Sequence, residues 1–321
     1  MKVLGLTCGR PMGNTEVLMK EALMGAEEKG AEVELVRMLD LDIRYCKQCK
    51  TCPWMQGNPE KCPIKDDALF LYNKILDSDG FIIGTPLYSW MAPGQLFVIR
   101  DRILGPRVDK AFAIEAKKGT GMMGNMTMKF DERLFKPRAA AFIVDGGAHT
   151  TFQFGMAPLH TLTFGLQAAV VDQLLVFDLT AIPGAVVLVD KAMKRAHKLG
   201  QNVAAALGKE YDDVEYMGDD PGTCPVCHNN MMLVGKTDII ECAVCNIYGK
   251  VKIMGDKLTV NFPESELKKA RLTIEGKRLH GVEIMEAVQK LQPRFGEIPE
   301  KIARYKAYSA CLVKPPAKKK D

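Results

Sequence analysis

Apolar residues recur along the first 207 positions in two alternating rhythms. Short, nearly unbroken runs ("KVLGL" at 2–6, "AEVELVRM" at 31–38, "GFIIGT" at 80–85, "RAAAFIVDGG" at 138–147, "VVDQLLVF" at 170–177) have the length and content of strands covered on both faces. Between them lie amphipathic stretches with helical spacing: "NTEVLMKEALMGAEEKG", "DDALFLYNKILDSD", "GQLFVIRDRIL", "TLTFGLQAA" and "DKAMKRAHKLGQNVAAALG". Asn14 or Thr15 caps the first of these and Gly30 ends it, while Asp66 and Asp67 open the second, where carboxylates suit the helix dipole. Strand and helix in alternation predict an α/β fold, a doubly wound parallel sheet with ligands at the carboxyl ends of its strands.

Beyond this the pattern changes. Residues 1–208 read as the sheet domain and the acidic stretch 209–222 as a linker; 223–262 hold four cysteines among short β-like segments, and 263–321 form a helical extension broken near Gly276. The chain has 321 residues, 47% of them hydrophobic, and a net charge of +5, partly from the terminal "KPPAKKKD". Nothing interleaves aromatic with basic residues, which excludes a nucleic-acid surface. No signal-peptide pattern and no run of ~18 apolar residues is present, so no membrane association and a cytoplasmic setting are expected. Thiols stay reduced there, so ten cysteines point to metal or redox chemistry rather than disulfides.

Three loops follow predicted strands. "TCGRPMGNTE" offers Gly9 and Gly13 for a tight turn, Thr7, Asn14 and Thr15 as donors and Arg10 as a charge, ahead of a helix N-terminus: an anion site, or else a plain capped turn. "GTPLYSWMAPG" presents Tyr88 and Trp90 as flat surfaces, with Thr85 and Ser89 as donors. "VDGGAHT" lets backbone approach a ligand at Gly146 and Gly147; His149 beside them is a candidate proton donor or a positional residue. Together they suit a flat heteroaromatic ring bearing a phosphate. "GTGMMG" (119–124) lacks the buried strand that a dinucleotide fingerprint needs. It sits in a methionine-rich stretch, 105–138, that reads equally as an adaptable substrate lid or an oligomer contact.

Cys46, Cys49, Cys52 and Cys62 fall within 17 residues, and soft thiolates at this density suit a 4Fe–4S cluster, with zinc or redox-labile thiols as alternatives. Cys224, Cys227, Cys242 and Cys245 form two Cys-x2-Cys knuckles 14 residues apart, the spacing of a zinc ribbon. Iron in a rubredoxin-like site is the alternative, disfavoured because His228 and Asn246, not glycine, follow the second cysteine of each knuckle. His228 is expected exposed and not a ligand.

"GRPMGNT", "CKQCKTC…CPIKDD", "GTPLYSW…RDRI" and "DGGAH", in this order, resemble the flavodoxin-like NAD(P)H-dependent FMN reductases, and among them the iron–sulfur flavoproteins, over residues 1–207. The resemblance implies FMN, its phosphate held by Arg10, Gly13, Asn14 and Thr15 and its ring lined by Thr85, Pro86, Leu87, Tyr88, Ser89, Gly146 and Gly147. In iron–sulfur flavoproteins the cluster motif closes with a gap of four to seven residues, and here the gap before Cys62 is nine. A homodimer or homotetramer is likewise implied. The expected activity is an FMN-dependent oxidoreductase passing electrons from NAD(P)H to a small quinone, flavin or enone. An electron carrier linked to ferredoxin or another redox partner, and a cofactor-free, metal-stapled interaction protein, are the competing readings.

Overall fold

The computed structural model describes residues 1–49, 62–104, 108–119, 130–147, 153–179, 182–308 and 311. Its elements are β1 (Lys2–Thr7), α1 (Asn14–Glu28), β2 (Glu32–Arg37), α2 (Ala68–Asp77), β3 (Gly80–Pro86), α3 (Gly94–Ile99), α4 (Lys110–Lys118), β4 (Ala139–Asp145), α5 (Gln153–Met156), β5 (Ala169–Val176) and α6 (Asp190–Ala206). There follow β6 (Met232–Val234), β7 (Ile239–Cys242), β8 (Tyr248–Met254), β9 (Lys257–Asn261), α7 (Glu264–Leu267), α8 (Ile274–Leu291) and α9 (Ile298–Ala307). Met1–Leu279 make one compact unit and His280–Asp321 another.

β1 to β5 form a parallel sheet in the order β2-β1-β3-β4-β5, the flavodoxin-like topology. Period-two alternation sends successive residues to opposite layers. Leu4, Leu6, Phe81, Ile83, Phe142 and Val144 pack toward α2 and α3, and Val3, Ile82, Ala141 and Ile143 toward α1 and α6. Both faces are therefore dry, which is why these strands read as unbroken apolar runs. Helices α1 and α6 lie unusually close: a Cβ on Gly200 would stand 1.6 Å from Ala22 O, and one on Gly25 2.1 Å from His197 O. Because β1 leads outward to β2 and the chain then returns to β3 on its other side, a crevice opens at the carboxyl ends of β1 and β3.

Two expected elements differ. "TLTFGLQAA" forms no α-helix; a 3₁₀ segment, Ala157–Leu162, gives way to a turn. Gly165 is drawn against the Val108 carbonyl, where a Cβ would clash at 1.9 Å, and its own carbonyl accepts from Lys110 N, while Gln167 takes a left-handed φ of 53°. In the C-terminal extension the helix breaks at 268–273, not at Gly276, which lies within α8 tight against Ala270 O. The acidic stretch 209–222 lies along β5, with Met217 N donating to Val171 O and Asn202 Nδ2 to Met217 O.

β6 to β9 form an antiparallel sheet carrying the second cysteine group. It rests on the parallel sheet through Gln173 of β5, whose side-chain amide donates to the carbonyls of Cys227 (3.1 Å) and His228 (3.2 Å). No described helix is long and apolar enough to cross a membrane.

Candidate functional site

The loop after β1 turns sharply into α1. Gly13 holds the N-cap position with extended backbone and no side-chain cap, so the first turn presents its N–H groups and positive dipole end to the crevice mouth. Gly9 is needed for the turn, since a Cβ there would lie 2.7 Å from Thr15 Cβ. Across the crevice, the loop after β3 makes a two-residue hairpin: Tyr88 N donates to Met91 O (2.8 Å) and Met91 N to Tyr88 O (3.0 Å). Its two central residues, Ser89 (φ 49°) and Trp90 (φ 66°), are both left-handed, the backbone of a type I′ turn, which normally calls for Asn or Gly. That strained turn holds Tyr88 and Trp90 outward, 57% and 63% exposed.

These loops and the one after β4 enclose a cavity of about 300 Å³. Arg10, Gly13, Asn14, Thr15, Pro86, Leu87, Tyr88, Gly146 and Gly147, all expected from the sequence, line it. Four others do not. Thr7 is buried and its hydroxyl accepts from Gly9 N (3.2 Å), shaping the loop; Thr85 turns its hydroxyl to Pro86 O (3.0 Å); Ser89 and Trp90 occupy the hairpin tip. His149 lies outside the described residues, as do Cys52 and the four methionines of the 119–128 stretch.

Sequence reasoning missed the role of Asp145. It lines the cavity between the anion loop and the diglycine, and Thr15 Oγ1 donates to its Oδ1 at 2.5 Å. Burial pushes its carboxyl up from 3.8 to about 6, against the opposing pull of the Thr15 hydrogen bond. Its carbonyl accepts from Leu87 N, so one residue ties together all three loops. An uncapped helix N-terminus, a cationic Arg10, glycines where side chains would collide, and an aromatic wall at one end fit a phosphate-bearing flat ring such as FMN.

The cysteine groups differ in burial. The sulfurs of Cys224, Cys227, Cys242 and Cys245 all lie within 4.8 Å of one another and all four residues are buried. Cys227 Sγ and Cys242 Sγ are 3.6 Å apart, close to the ~3.8 Å edge of a tetrahedron with metal–sulfur bonds of about 2.3 Å. Cys245 N donates to Cys242 Sγ (3.4 Å), which holds that sulfur in place beside Cys227 Sγ. His228 (φ 58°) and Asn246 (φ 56°) take the left-handed turn after each knuckle without being glycine. His228 is half-buried, not exposed: its ring stacks on Tyr216 at 3.9 Å and its Nδ1 lies 3.1 Å from Pro221 O, so it is no ligand. The four thiols fit a tetrahedral metal ion.

Of the first group, Cys46 and Cys62 are half-buried and Cys49 is exposed. Their loop is clamped at its base. Asp67 N donates to Asp42 O, Asp42 N to Asp67 Oδ2, and Arg44 N to Asp66 Oδ2. Asp66 does more than open α2 through Ala68 N: it forms a buried bidentate pair with Arg102 (2.7 and 2.9 Å), whose Nη2 also approaches Cys62 Sγ at 3.9 Å. Arg102 stood in the "RDRI" motif, but nothing in the spacing announced its partners.

A sequence-family model described as NADPH-dependent FMN reductase matches residues 1–180. The chain belongs to that family. It is thus an FMN-dependent NAD(P)H oxidoreductase. Among similar proteins, a flavone synthase of Aspergillus candidus is 33% identical over 273 residues, covering 82% of this chain and 81% of that protein. An iron–sulfur flavoprotein of Methanocaldococcus jannaschii is 37% identical over 103 residues, 32% of this FMN reductase relative and 51% of the archaeal protein. A solved flavone reductase superposes with a TM-score of 0.78 at 29% identity, covering 98% of this chain and all of that one.

Proposed function

We propose that this FMN-dependent oxidoreductase reduces the conjugated carbon–carbon double bond of a flat aromatic enone of the flavone type, with electrons from NAD(P)H. The observation that carries the reading is the likeness to a flavone reductase across 98% of this chain, cysteine module and C-terminal helices included, not across the FMN domain alone. FMN, when bound, supplies two-electron chemistry, taking hydride from the nicotinamide and returning it to the acceptor. The chain's own part is placement. Arg10 and the first turn of α1 would hold the phosphate, Leu87, Gly146 and Gly147 would border the ring, and Tyr88 would offer an aromatic plate at the mouth for a flat acceptor. One NAD(P)H, one proton and one enone give one NAD(P)⁺ and one saturated ketone.

The test is anaerobic incubation of the FMN-loaded protein with NADH or NADPH and flavone, followed by mass spectrometry of the product. A gain of two hydrogens with stoichiometric loss of NAD(P)H supports the proposal. Flavin bleaching by NAD(P)H without any turnover of flavones, and fast turnover of quinones instead, would refute the acceptor class.

The four buried thiols of the second group are read as a structural zinc site that staples β6–β9 to the core. A 4Fe–4S cluster at Cys46, Cys49, Cys52 and Cys62 is the second reading for the first group, favoured by the clamp that closes that loop at Asp42–Arg44 and Asp66–Asp67. Iron, sulfide and zinc content of protein purified without oxygen tests both.

A further inference from the structure

The side-chain amide of Gln173, on β5, spends both its hydrogens on the first cysteine knuckle. Its Nε2 donates to the carbonyl of Cys227 at 3.1 Å and to that of His228 at 3.2 Å. A carbonyl only accepts, so the amide nitrogen has to face the knuckle and the amide oxygen has to turn away. That oxygen, Oε1, lies 3.3 Å from His160 Nε2, and since it too only accepts, the imidazole carries a proton on Nε2. His160 is fully buried, with its ring set edge-to-face on Phe142 at 4.9 Å between centroids, and its Nδ1 has no hydrogen-bond partner among the described residues. Two donations thus run in series, from His160 to Gln173 and from Gln173 to the knuckle. Both side chains belong to the parallel-sheet layer, on the 3₁₀ segment Ala157–Leu162 and on β5, and not to the sheet that carries the cysteines.

The gripped carbonyls lie in the tightest part of the knuckle. Cys224 N donates to Asn229 O and His228 N to Cys224 O, which closes the loop on itself. His228 takes its left-handed φ of 58° without being glycine, and its carbonyl oxygen sits so close to Gly222 that a Cβ there would stand 2.4 Å away. A strained turn of this kind persists only where its surroundings hold it. We propose that Gln173, oriented by His160, is a positioning residue of the metal site: by holding the two carbonyls it fixes the first knuckle so that Cys227 Sγ meets Cys242 Sγ at the separation a tetrahedral ion needs. The inference rests on the zinc reading of the four thiols and adds that part of the metal's affinity is set from the parallel sheet. Removing an outer partner that orients a ligand typically weakens metal binding about 10–100-fold.

The test is the zinc affinity of the full, FMN-loaded chain, measured by competition with a chromophoric chelator. Gln173→Met, of the same length but without donor or acceptor, should bind zinc about 10–100-fold more weakly than wild type. Gln173→Glu, of the same shape but with a carboxylate facing both carbonyls, should lose at least as much. Cobalt put in place of zinc reads the geometry, and its visible thiolate spectrum should shift in both variants. Leu71→Ala opens a cavity in the core beneath α2, so it should lower the urea midpoint and leave zinc affinity and the cobalt spectrum as in wild type. Gln173 variants with wild-type zinc affinity overturn the inference and leave the zinc reading standing. A wild type that binds no zinc overturns both. A loss of affinity in Leu71→Ala equal to that in Gln173→Met overturns the inference as well, because affinity then follows general stability.

Discussion

Asp145 is a carboxyl buried in a cavity beside the loop proposed to hold the FMN phosphate, and that arrangement has a measurable consequence. Its folded-state pKa, raised to about 6, exceeds its ordinary 3.8, so between these values the folded protein binds a proton that the unfolded chain has released. Stability contributed by the neutral acid is therefore full below pH 3.8 and falls as pH rises, levelling off above 6. At 1.36 kcal/mol per pKa unit the loss is about 3 kcal/mol. Asp145→Asn keeps an acceptor for Thr15 Oγ1 and cannot ionise, so the variant should gain on the wild type across this window, by up to about 3 kcal/mol at neutral pH. Urea melts of the FMN-free protein from pH 4 to 8 measure it. The comparison has to be variant against wild type, because buried His160, whose pKa burial lowers to about 4, tilts the absolute curve the opposite way over nearly the same range. FMN binding adds a second readout: an ionised Asp145 repels the phosphate, so Asp145→Asn should bind FMN more tightly at pH 8 than wild type, and equally at pH 5. A difference in stability that does not change with pH would refute the reasoning.

Arg102→Met should cost about 3–5 kcal/mol in chemical denaturation, because it leaves Asp66, 1% exposed, as a buried charge without its guanidinium partner; a loss below 1 kcal/mol would show that water reaches the carboxylate. Ser89→Asn/Trp90→Gly relaxes the two left-handed residues of the hairpin and should raise stability by about 1–2 kcal/mol. If Trp90 helps receive the acceptor, the same variant raises KM for a flavone with little change in flavin reduction by NAD(P)H. Cys242→Ser removes one of the four clustered sulfurs, and should take bound zinc from about one per chain to near zero, read by elemental analysis. Retention of zinc would place the metal elsewhere.

Local pattern sufficed where local forces decide. Unbroken apolar runs with helices between them set the five parallel strands, and glycines beside small polar residues marked the loops at their carboxyl ends, because burial on two faces and tight turning are written in consecutive residues. The two Cys-x2-Cys knuckles were legible for the same reason: a tetrahedral site draws its ligands in close pairs. What the tertiary structure alone decided are meetings between distant residues. Thr15 and Asp145 stand 130 positions apart and share a hydrogen bond because β1 and β4 end at the same edge of the sheet; Arg102 reaches Asp66 across 36. Gly165 gives up a helix for contact with Val108, and Gln173 reaches across to the carbonyls of the first knuckle. Each depends on which strands lie side by side and on what must be dehydrated once they do, and no short window of residues carries that information.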